Sequence, residues 1–220
     1  MSVFERWAAA TLKEAAPDVL KGVPALVAQV PRIAKDMKAQ EVSNSLWATA
    51  TLKEDVPDVL NGVPTLVAQV PAVAKDMNAQ CVSNSLWAAA TLKEAAPDIL
   101  KGVPAFVAQV RVIAKDMKAQ EVANSLFALV LLSDSVAEVE SILSQGNFVL
   151  AAVERFCGLF PKMTETDFRL AVPVVVWACA RMGVHHDQLL AAVSQHFRSV
   201  KKCSSLTDWG LCALNGPMMS

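Results

Sequence analysis

The 40 residues from Gln40 to Ala79 recur almost letter for letter from Gln80 to Ala119. A shortened earlier copy runs from about Phe4 to Ala39, and a decaying copy begins at Gln120. Trp7, Trp47, Trp87 and Phe127 fall at a constant step of 40 residues. Self-similarity at a period of about 20–50 residues marks chains built from stacked supersecondary units, each packing only on its neighbours. The unit is helical in pattern. The expected fold class is therefore all-α, an α-solenoid of tandem two-helix repeats with proline-kinked second helices. Residues 1–132 hold three near-identical units and the first helix of a fourth, and residues 133–220 continue the same array with divergent units. Both ends of the chain fall within a unit, which reads as a piece of a longer array, truncated at the N-terminal side.

Helix A of each unit spans about Ala39 to Lys53. Val42, Leu46 and Ala50 take i, i+4 and i+8 spacing, and Trp47 and Leu52 widen the apolar stripe. A helix apolar over so wide an arc needs cover on two sides, which stacking supplies. Its start is only half signalled. Asn78 can cap the third copy where Lys38 and Lys118 cannot, while Glu41 and Glu121 can bond the cap amide where Cys81 cannot. Frayed starts are the expectation.

Pro57 ends the connection after helix A, because the residue before a proline is pushed out of αR, and it suits the first turn of helix B. Helix B then carries Pro64 and Pro71, each seven residues on. An interior proline costs about 3 kcal/mol in a straight helix. Breaks are expected near Gly62-Val63 and near Val70. In the third copy Arg111 replaces the last proline, so that segment is expected to continue straight. Beyond Phe127 the period fails. Helices are expected over Ser133–Gln145, Phe148–Phe160, Asp167–Met182 and Asp187–Val200, with Pro173 as a kink, Gly183 as a stop and a further A helix from Leu206 to Leu214.

The chain has 220 residues, 54% of them hydrophobic, and a formal net charge of −1. Residues 1–127 carry 13 Lys/Arg against 13 Asp/Glu, so no basic excess announces nucleic acid by charge alone. The longest apolar runs, Val122–Leu132 and Leu170–Ala180, fall short of the ~20 residues a membrane span needs, and no membrane partner is expected. Cys81, Cys157, Cys179, Cys203 and Cys212 form no C-x-x-C pair and read as buried structural thiols. His185, His186 and His196 lack metal-ligand spacing with them. Neither a phosphate-binding glycine loop nor a hydrolase motif occurs, so no metal, no cofactor and no enzymatic activity is expected. Met1 leads almost directly into repeat sequence, with no visible targeting peptide.

The phrase Gln40-Glu41-Val42-Ser43-Asn44-Ser45-Leu46-Trp47-Ala48, repeated from Gln80 and more weakly from Gln120, resembles the octotricopeptide repeats. It is also similar to the helical repeats that precede RAP domains and occur in FAST-kinase-like proteins. Val176-Trp177-Ala178-Cys179-Ala180-Arg181-Met182-Gly183 carries the same look in the second half. The unit here is slightly longer than usual, has extra prolines, and no RAP domain follows. The resemblance implies RNA binding in chloroplasts or mitochondria, in transcript processing, stability or translation. It further implies that A helices line a concave face and that a few of their polar side chains read bases.

Under that reading Gln40, Gln80 and Gln120, in the first turn of helix A, and Asn44, Asn84 and Asn124, one turn later, are the base-facing candidates. The alternative is structural: the glutamines satisfy first-turn amides, and the asparagines bond between neighbouring A helices. Two lysine rows are phosphate candidates, Lys13, Lys53 and Lys93 at the end of helix A and Lys35, Lys75 and Lys115 before the next one. Their alternative is a solvated rim, with the first row favourable at a helix C-terminus. Trp47 and its equivalents read as inter-repeat packing, with base stacking as the alternative. Single-stranded RNA is thus one partner class. A protein-interaction scaffold is the other, consistent with balanced charge and an Ala-rich surface.

Overall fold

A computed structural model describes residues 10–11, 13–14, 16–144 and 147–200, and for 195–200 the backbone only. Trp7, Cys203, Cys212, the side chain of His196 and the expected helix at Leu206–Leu214 lie outside this set. Every regular element among the described residues is helical. None of these helices is long and apolar enough to cross a membrane.

The A helices are α3 (Ala39–Leu52), α6 (Ala79–Leu92) and α8 (Ala119–Leu132), each 14 residues and starting at the same point of the repeat. Each start has one half of a capping box: Glu41 and Glu121 accept the amides of Lys38 and Lys118 at 2.7 and 2.8 Å, and Asn78 accepts the amide of Cys81 at 2.9 Å. One bond per start, added to burial of the apolar arc, is enough to fix the boundary. Val42, Leu46, Val82, Leu86, Val122 and Leu126 are all fully buried.

Each B segment opens as a 3₁₀ turn at the Pro-Asp pair. The preceding residue lies outside the helical region, as at Val56 (φ −139°, ψ 79°), because a following proline disfavours αR. In the first two units two short α-helices follow, α1 (Val23–Val27) and α2 (Val30–Ile33), then α4 (Val63–Val67) and α5 (Val70–Val73). The breaks fall where the prolines place them. With Arg111 in place of the last proline, the third unit forms one helix, α7 (Val103–Ile113).

The second half holds α9 (Ala137–Ser144), α10 (Asn147–Leu159), α11 (Glu165–Arg181) and α12 (Asp187–Val200). Thr164 caps α11 in a complete box with Asp167. Accepting the Thr164 hydroxyl and amide holds the Asp167 carboxyl below its ordinary pKa. Pro173 does not interrupt α11, which runs through it. Gly183, at φ +65°, ends that helix in the left-handed conformation glycine tolerates.

The helices α3, α6, α8 and α11 pack side by side in chain order. On the B side, α1 packs on the 3₁₀ turn at Pro57–Gly62, α4 on the turn at Pro97–Gly102, and α7 on α9. The neighbouring A helices run parallel and in register. Ser43 Oγ donates to the Cys81 carbonyl near the helix starts (2.9 Å), and Lys53 Nζ to the Thr91 carbonyl near their ends (3.0 Å). One hydrophobic core runs unbroken from Val30 to Leu189, so the divergent half shares the interior of the near-identical units. A smaller cluster around Trp47, with Ala10, Val23, Val27 and Val59, joins the first unit to the second.

Candidate nucleic-acid interface

Gln40, Asn44, Trp47 and Thr51 are spaced four, three and four apart, which puts them on one face of α3. The same stripe recurs on α6 as Gln80, Asn84, Trp87 and Thr91, and on α8 as Gln120, Asn124, Phe127 and Leu131. Parallel packing brings the three stripes next to one another. Within them, depth differs by row. Gln40 and Gln80 are exposed and Gln120 is half-buried, whereas Asn44 is half-buried and Asn84 and Asn124 are buried. Gln120 Nε2 donates to Asn124 Oδ1 at 3.0 Å. Among the described residues no hydrogen bond joins one asparagine of the row to the next. The glutamine row is thus accessible, and the asparagine row sinks into the seams between helices.

The two lysine rows also separate. Lys13, Lys53 and Lys93 reach across to the next A helix and donate to the carbonyls of Thr51 (3.4 Å), Thr91 (3.0 Å) and Leu131 (2.8 Å), each 38 residues on. Lys13 also pairs with Asp55 at 2.9 Å. These carbonyls belong to the last turn, which has no intrahelical donors. The row therefore staples the C-terminal ends of successive A helices. Lys35, Lys75 and Lys115 are exposed instead, and among the described residues no carboxylate pairs with them. Adjacent Asp36, Asp76 and Asp116 are exposed as well.

Balanced charge conceals an asymmetry across the array. The edge where A helices begin carries Arg32, Lys35, Lys38, Lys75, Arg111, Lys115 and Lys118 against Asp36, Glu41, Asp76, Asp116 and Glu121. The opposite edge carries Lys13, Lys21, Lys53, Lys93 and Lys101 against Glu14, Asp18, Glu54, Asp55, Asp58, Glu94, Asp98 and Asp134. The first edge is net positive by two and the second net negative by three.

Other polar side chains that sequence reasoning passed over serve as cross-unit ties. Gln109 Nε2 donates to the Met77 carbonyl (2.9 Å), and Arg155 Nε to the equivalent Met117 carbonyl (3.0 Å). The two ties span 32 and 38 residues, so no local pattern in the sequence marks them. Trp47 is buried and Trp87 half-buried, as packing demands. Cys81, Cys157 and Cys179 are buried free thiols. Burial raises the pKa of all three, that of Cys157 to about 11 with help from Cys179 and Glu154. His186 Nδ1 lies 3.9 Å from Cys157 Sγ and accepts the Leu189 amide, a helix-entrance role. Among the described residues no three His, Cys, Asp or Glu side chains gather as a metal would require. Compared with family models, curated proteins and solved structures, the chain matches none.

Proposed function

We propose that the chain is an α-solenoid that binds single-stranded RNA along the exposed stripe of its A helices, as a non-enzymatic RNA-binding repeat protein. One observation carries the reading. Gln40 and Gln80 stand exposed on adjacent parallel helices, one period apart, beside the unpaired Lys35, Lys75 and Lys115 on the positive edge. Glutamine amides can bond base edges, and the lysines supply phosphate contacts. The staple row, Lys13, Lys53 and Lys93, is excluded from this surface because its ammonium groups are engaged. The resemblance to octotricopeptide repeats points the same way and would place the protein in chloroplast or mitochondrial RNA metabolism.

Near-identical units should prefer a run of one nucleotide. Filter binding against the four RNA homopolymers is expected to show such a preference and affinity that falls as salt rises. Gln40→Ala with Gln80→Ala should flatten the preference, and Lys35→Ala with Lys75→Ala should reduce the salt slope. Absence of salt-sensitive binding would sink the proposal. A protein-interaction scaffold is the second reading. It is favoured by Val112, two-thirds exposed (66%) beside an open groove on the B side that Pro104, Val107 and Ala137 help to line.

A further inference from the structure

We infer that Trp177, backed by Phe127 and flanked by Arg181, is a nucleobase-stacking position that grips RNA without reading the base. This rests on the RNA-binding reading above and extends it to a part of the array where the repeat has decayed. The indole of Trp177 lies on the ring of Phe127 from the preceding A helix, with centroids 5.3 Å apart and planes tilted by 43°. That contact aligns α11 with α8. Leu170 and Val174 then occupy the places of Gln120 and Asn124, seven and three residues before the aromatic in each helix.

The aromatic row changes character along the array. Trp47 is 5% exposed, and Trp177 is 36% exposed. Trp177 is thus held on one side by Phe127 while part of its surface meets solvent. Arg181, one turn on and along the same stripe, is exposed and forms no ion pair among the described residues. A π-face with a cation one turn away matches one nucleotide: the base stacks on the ring, and the guanidinium meets the adjoining phosphate. With Leu170 and Val174 in place of the amides, the stripe offers no amide to a base edge here, and Arg181 is committed to the phosphate in this reading. Stacking alone tolerates every base, because each has a π-face.

The test uses the full chain and RNA homopolymer 12-mers, with binding of wild type, Trp177→Ala, Trp177→Phe and Gln80→Ala measured side by side. Trp177→Ala is expected to weaken binding about tenfold, by the same factor for every homopolymer, while Trp177→Phe keeps most of it. Gln80→Ala should instead weaken the preferred homopolymer selectively. Should Trp177→Ala bind as wild type does, or lose affinity for one base only, while Gln80→Ala behaves as expected, this inference fails and the RNA reading stands. If wild type binds no homopolymer, both fall. Since Trp177→Phe preserves the aromatic contact to Phe127, equal losses in the Phe and Ala variants would also overturn the stacking role.

Discussion

The B segments of the second and third units differ little in sequence, VPTLVAQVPAV from Val63 and VPAFVAQVRVI from Val103, yet they hydrogen-bond differently. The first is two short helices separated at Ala68-Gln69, and the second is one helix of 11 residues. The cause is Pro71, which has no amide to donate to the Val67 carbonyl. Around it the chain falls back on i→i−3 bonds, Gln69 to Leu66 (3.1 Å) and Ala72 to Gln69 (3.0 Å). Ala68 and Gln69 nevertheless keep helical dihedrals, and Val63, Leu66, Val67 and Val70 are buried as deeply as Val103, Phe106, Val107 and Val110. The proline alters the ladder without moving the apolar face. Packing against the A helices holds the path of the segment, and local chemistry decides only which backbone bonds it makes.

Core truncation should give the largest effect and sharpen this point. Phe106→Ala is expected to cost about 3–5 kcal/mol and Leu66→Ala about 2–5 kcal/mol, measured by urea unfolding. Since packing holds both segments along the same path, each cost should follow the size of the side chain removed, and a larger cost for Leu66→Ala than for Phe106→Ala would contradict this.

Exchanging the proline comes next. Arg111→Pro should divide α7 as α4 and α5 are divided, lowering stability by about 1–3 kcal/mol, while Pro71→Arg should fuse the two helices and strengthen the 222 nm circular dichroism signal. An Arg111→Pro variant with unchanged stability and helicity would break the comparison outright.

Removing a staple should cost less. Lys53→Met and Lys93→Met each sever one bond to the next A helix and are expected to destabilise by about 1 kcal/mol. Because each donates to a backbone carbonyl (Thr91 and Leu131), the loss should depend weakly on salt. A loss that vanishes at high salt would instead assign these lysines to surface ion pairs.

The smallest effect is a gain. Gly62 and Gly102 both have helical dihedrals (φ −80° and −84°), so alanine there should stabilise by about 0.5–1 kcal/mol where space allows. An added Cβ at Gly62 would meet Val30 at 3.6 Å, ordinary contact, whereas at Gly102 it would meet the Phe106 ring at 3.4 Å. Gly62→Ala should therefore gain more than Gly102→Ala in thermal denaturation.

Local chemistry was readable throughout the near-identical units. The A-helix spans, the half-boxes at Glu41, Asn78 and Glu121, and the straight third B segment all follow from residue type and spacing. Pro173 lies inside α11, with Ala171, Val172 and Val175 buried around it, and the helix continues on both sides of its ring. The candidate site was legible only as a set of periodic rows. Spacing listed two lysine rows and two amide rows without ranking them.

What the sequence determined by itself is the period, and with it the boundary and apolar face of each helix, because turn chemistry and amphipathic spacing act within a few residues. What only the tertiary structure decided is which polar row remains available. Lys53 meets the Thr91 carbonyl, and Asn84 and Asn124 sink between helices, because parallel packing sets neighbours 38 to 40 residues apart against one another at a depth no single unit encodes. Gln40, Gln80, the second lysine row and Trp177 are what that packing leaves facing outward.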